Sequence, residues 1–163
     1  MRHAYDGLTA AEQLAVWSMR RLHGARRSCA SGTVRRGLLS DLTAAVVALR
    51  SANALMITHQ GLGLEIASPG HLALTDDERR LLRGTAASQA GDDRLVEIAL
   101  FDIAANWRAR TSLTAAVTLL GANLGSAGYW LPKPPAVSPL PPAALRVAWL
   151  HGADMPASGV AWP

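Results

Sequence analysis

Leu74-Thr75-Asp76-Asp77-Glu78-Arg79-Arg80-Leu81-Leu82, which follows the break Ser68-Pro69-Gly70-His71, decides the fold class. Thr75 and Glu78 stand in the S/T-x-x-E spacing of a capping box. The threonine hydroxyl accepts the amide proton of Glu78, and the Glu78 carboxylate accepts that of Thr75. Asp76 and Asp77 add negative charge at the positive end of the helix dipole. This start predicts a helix to about Ser88, weakened by Gly84. A second box, Thr9-Ala10-Ala11-Glu12, opens a helix that sets Leu14, Trp17, Ser18 and Leu22 on one face and ends at Gly24.

Periodicity supplies the remaining helices. From about Thr33 to Ile57, Leu38, Leu42, Ala45, Val46, Leu49, Ala52 and Leu55 or Met56 keep a 3.6-residue period. After the turn Ala90-Gly91-Asp92-Asp93, the stripe Val96, Leu100, Ile103 and Trp107 predicts a helix reaching roughly Trp107. Thr111 or Ser112 is then expected to cap a fifth helix whose inner stripe is Leu113, Val117, Leu120 and Leu124. Short connections favour antiparallel neighbours. Between Gly61 and Gly70, Leu62-Gly63-Leu64-Glu65-Ile66 reads as a local extended crossing. Half of the residues are apolar and only 5% aromatic, with alanine and leucine dominant, a bias that suits close-packed helices better than a pleated sheet. The expectation is an all-α domain, a compact bundle of about five helices over residues 1–131. It is followed at 132–163 by an extended Pro-rich tail that holds eight of the nine prolines and a short apolar segment at 143–150.

Charge and cysteine usage narrow the function classes. The net charge of +4 is concentrated in residues 1–36, where seven arginines stand against Asp6 and Glu12. The single cysteine excludes an intrachain disulfide framework and a cysteine-based zinc cluster. The opening Met1-Arg2-His3-Ala4-Tyr5-Asp6 has no apolar h-region, so a reducing cytoplasm is the expected setting. Leu113 to Leu131 carries no charge, but Thr114, Thr118, Asn123, Ser126 and its glycines dilute it, and it reads as a buried helix with no membrane span. Gly121-x-x-x-Gly125 marks close helix approach, within the chain or in a homodimer.

No catalytic constellation emerges. Cys29 with His23 is the nearest thing to a thiol–imidazole pair, yet Cys29 has no distinctive flank. The histidines lack the i, i+4 spacing of a metal helix, and His59 and His71 merely flank the Gly-rich crossing. Asp102 and Asn106, one turn apart on an apolar helix, read as a polar pair that either meets an arginine or faces water. Gly61-Leu62-Gly63 lacks the Lys-Ser/Thr ending of a phosphate loop. No cofactor is indicated.

Two surfaces remain. Leu145, Ala148 and Trp149, at i, i+3 and i+4, form a short apolar face of the kind that docks in a groove, on a protein partner or on the chain's own bundle. Arg20, Arg21, Arg26, Arg27, Arg35 and Arg36 form a basic set able to meet phosphate, a strongly salt-dependent interaction. The set lacks a helix-turn-helix and aromatic residues for stacking.

In its opening helix with Trp17-Ser18-Met19-Arg20, the turn Pro69-Gly70-His71, and the Leu74-Thr75-Asp76-Asp77-Glu78 start with Leu81-Leu82, the chain resembles a group of small uncharacterised all-helical bacterial proteins over residues 8–131. The resemblance implies the helical fold and no activity. Gly70 and His71 occupy a turn where other members carry cysteines, which argues against a metal there. The sequence thus points to a non-enzymatic interaction or regulatory protein with an unidentified protein partner. The alternative is a nucleic-acid-associated protein that uses the arginines between 20 and 36.

Overall fold

A computed structural model describes residues 7–24 and 36–133, with side chains given for 7–20 and 42–133. Five helices follow one another: α1 (Ala10–Gly24), α2 (Arg36–Gln60), α3 (Asp76–Gln89), α4 (Asp93–Phe101) and α5 (Trp107–Ser126). No strand occurs among the described residues. The fold is all-α, as expected. Cys29 and the tail from residue 134 onward, including the 143–150 segment, lie outside the described residues.

The capping chemistry sets both clear helix starts. In α3 the Thr75 hydroxyl accepts from the Glu78 amide at 3.1 Å, and the Glu78 carboxylate accepts from the Thr75 amide at 3.0 Å. In α1 Thr9 and Glu12 make the same exchange at 3.3 and 2.8 Å. The inner stripes then assemble one core. Leu42, Leu81, Leu100, Leu113 and Leu124 are fully enclosed, and each such side chain contributes roughly 1.5–3 kcal/mol of transfer free energy. The most extensive helix contact is α2 on α5; α3 packs on both α4 and α5, and α1 closes over α2, α3 and α5. Leu42–Gln60 within α2 is the one described segment long and apolar enough to cross a membrane, and about a third of it is buried in the bundle.

Three expectations need correction. The buried face of α1 comprises Ala11, Ala15, Val16, Ser18, Met19 and Arg20, while Leu14 and Trp17 are only partly covered. The fourth helix ends at Phe101, not at Trp107. Ile103 and Ala104 stay buried in the turn that follows, so the apolar period outlasts the helix by about one turn. Asn106, rather than Thr111 or Ser112, caps α5, its side-chain oxygen accepting from the amides of Arg108 and Ala109 at 2.8 and 3.4 Å. Trp107 therefore opens α5 and stands 65% exposed.

The segment expected as an extended crossing, residues 62–66, lies in a stretch without regular secondary structure, and side chains satisfy its backbone in place of a strand partner. Asn53 accepts from the Leu64 amide at 2.7 Å, Asp77 from Glu65 at 2.9 Å and Glu78 from Ala67 at 3.2 Å. The Thr75 hydroxyl donates to the Glu65 carbonyl.

Candidate functional site

The basic set of the N-terminal third is not a uniform surface. Arg20 is 3% exposed and lies against fully buried Glu78. Its Nε and Nη2 donate to the two carboxylate oxygens at 2.7 and 2.8 Å, a bidentate arrangement in which both charges are satisfied. The same guanidinium donates to the carbonyls of His71 and Ala73. Arg20 thus ties α1 to the start of α3 and to the stretch that precedes it, and this burial removes it from the residues able to meet phosphate. Arg21 and Arg36 lie in α1 and α2 with undescribed side chains; Arg26, Arg27 and Arg35 lie outside the described residues.

The other polar candidates separate. Asp102 is the C-cap of α4 and Asn106 the N-cap of α5, so they share no helix. Asp102 is 68% exposed, with Arg80 3.9 Å away. His59 is exposed at the end of α2, and His71 turns its Nδ1 to its own loop, 3.0 Å from the Ala73 carbonyl oxygen. No group of three or more potential metal ligands occurs among the described residues. Leu145, Ala148 and Trp149 lie outside them.

Both glycines of the small-residue pair are covered by the chain itself. A Cβ at Gly121 would sit 3.2 Å from the Thr85 carbonyl oxygen and 3.3 Å from Gln89 Cγ. One at Gly125 would meet the Trp130 ring at 3.5 Å. Gln89 completes this junction: its Nε2 donates to the carbonyls of Gly121 and Tyr129, both at 3.0 Å, and its Oε1 accepts from the Leu131 amide at 2.8 Å.

An open groove between α4 and α5 is the feature sequence reasoning missed. Its walls are Glu97, Leu100 and Phe101 from α4, and Trp107, Arg110, Thr111 and Thr118 with their neighbours from α5; it encloses about 930 Å³. Phe101 and Trp107 are 64% and 65% exposed, and Leu119 and Ile98 add further apolar surface. Arg110 lies 5.0 Å from the Phe101 ring centroid, and Arg108 lies 5.5 Å from that of Trp107. Such contacts hold the rings in place while leaving their other faces open. A readable signal existed. Ile98 and Phe101, at i and i+3, form a second apolar stripe on α4, off the Val96–Leu100–Ile103 stripe. A second pocket, by contrast, is apolar, lined by residues such as Met19, Leu49 and Leu120, and at about 20 Å³ is too small for a ligand.

No protein-family model, curated protein or solved structure matches the chain.

Proposed function

We propose that this protein acts without catalysis, by binding another protein through the groove between α4 and α5, with Leu145, Ala148 and Trp149 of the tail as a second contact. One observation carries the reading: Phe101 and Trp107, two large aromatic side chains, stand mostly uncovered in one groove with partly exposed Leu119. Contiguous exposed apolar surface with a polar rim is the usual mark of a docking site, and aromatic residues with arginine are the typical anchors of such sites.

Capture from lysate tests this with the full-length chain beside full-length Phe101→Ser, Trp107→Ser and Trp149→Ser variants, at low and moderate salt, each recovered protein being purified and rebound. Substitutions at exposed Phe101 and Trp107 are expected to leave stability within about 0.5 kcal/mol. The expected result is one partner that rebinds wild type and is lost at least tenfold with the groove variants. Nucleic acid retained by all four chains and released by salt would overturn the proposal in favour of the remaining arginines between 21 and 36.

A further inference from the structure

Arg108 and Arg110, in the first turn of α5, differ from the arginines that meet acids. Arg20 pairs with Glu78, Arg79 with Asp76, and Arg80 lies 3.6 Å from Asp77 and 3.9 Å from Asp102. Arg108 and Arg110 instead lie over the rings of Trp107 and Phe101, 5.5 and 5.0 Å from the centroids. Neither forms an ion pair with a carboxylate among the described residues. A guanidinium stacked by its flat face keeps its in-plane N–H donors for a carboxylate.

The groove beside these two ring–cation pairs is graded in charge. From Thr111 to Leu131 the chain carries no charged residue, so the α5 wall is cationic at its Trp107 end and neutral beyond it. Among the described residues that line the groove, Arg110 is the cation and Glu97, one helical turn before Phe101 on α4, is the acid. Trp107, Thr111, Thr114 and Thr118 recur along the α5 wall at alternating spacings of about four and three, over about 17 Å or about three helical turns. An incoming helix presents its anchors at the same spacings.

We propose that the occupant of the α4–α5 groove is an acidic amphipathic helix of a separate protein. Its apolar anchors rest on Phe101, Trp107 and Leu119, and its carboxylates meet Arg108 and Arg110. This inference rests on reading the groove as a docking surface and adds the charge of what docks there. A nucleic-acid strand matches less well, because it carries a charge at every phosphate and binds through many cations at once, whereas the described lining sets one arginine against one glutamate. A segment of the same chain lacks the acids: outside residues 7–24 and 36–133 the sequence holds Asp6 and Asp154 alone.

Selection on the full-length protein from a displayed library of random peptides, each about five helical turns long, tests the proposal. Every selected peptide is synthesised and titrated onto wild type, Trp107→Ser, Arg110→Gln and Glu97→Gln. The peptides that need Trp107 are expected to carry net negative charge, with aliphatic or aromatic residues one turn apart. Arg110→Gln is expected to weaken them about tenfold, and Glu97→Gln to tighten them about twofold, a gain that local damage would not produce. Trp107-dependent peptides that are neutral or basic, or that bind Arg110→Gln as well as wild type, overturn the proposal and leave the groove a docking site. A selection that yields no Trp107-dependent peptide overturns the groove reading along with it. A wild-type dimer, seen by sedimentation, that the peptides dissociate also overturns the proposal, because the occupant is then a second copy.

Discussion

Arg20 of α1 and Glu78 of α3, 58 positions apart in sequence, face each other as a bidentate pair that is almost wholly out of contact with solvent. Glu78 is at once the carboxylate of the α3 capping box and the counter-ion of a buried arginine, so one side chain settles where α3 starts and where α1 rests. Removing either partner leaves an unpaired buried charge. Arg20→Met and Glu78→Gln are each expected to cost about 3–5 kcal/mol. The double variant should lose at least about 1 kcal/mol less than the sum, read from urea denaturation as a double-mutant cycle. Strict additivity would show that the two charges do not interact.

Gln89 makes three hydrogen bonds that hold Tyr129 and Leu131 to the Gly121 turn of α5. Net contributions near 0.5–1.5 kcal/mol per bond, reduced by partial exposure, place Gln89→Ala at a loss of about 1–2 kcal/mol. The sharper readout is hydrogen exchange. The Leu131 amide should lose its protection while amides in the middle of α2 keep theirs.

Asn106 begins α5 by accepting two backbone amides, whereas Asp102 only trails α4 into solvent. Asn106→Ala is expected to lower stability by about 1 kcal/mol, and Asp102→Ala by less than about 0.5 kcal/mol, in thermal or urea unfolding. A helix continuous from Asp93 through Trp107 would make both substitutions neutral or favourable, since alanine is the better helix former.

Asp76 pairs with Arg79 one turn along α3. The hydrogen bond and the charge of Arg79 hold its carboxyl below 3.8, the value of an unperturbed aspartate. Because the folded form titrates lower than the unfolded one, this stabilisation is present above the unfolded pKa and is lost as pH falls through the folded one. A carboxyl titration by NMR should place the Asp76 midpoint below 3.8, and Arg79→Ala should move it back up. An unchanged midpoint in that variant would remove Arg79 as the cause.

The parts of this protein legible without a structure are those written in short-range chemistry. Thr9 with Glu12 and Thr75 with Glu78 declare helix starts because a hydroxyl and a carboxylate three residues apart close on each other's amides with no help from the rest of the chain. The stripes Leu42–Met56 and Leu113–Leu124 declare inner faces because 3.6 residues per turn is a property of the backbone. The error at Trp107 has the same root: Ile103 kept the period through a turn that was no longer helical, and Asn106 looked like one more polar residue. What only the tertiary structure decided is which surfaces find a partner. Arg20 was one of six arginines until α1 met Glu78, and Phe101 was an ordinary apolar residue until α4 ended beside Trp107 and left both uncovered. A local pattern shows that a side chain prefers burial; whether another element arrives to bury it depends on packing between segments far apart in the chain, where no spacing rule applies.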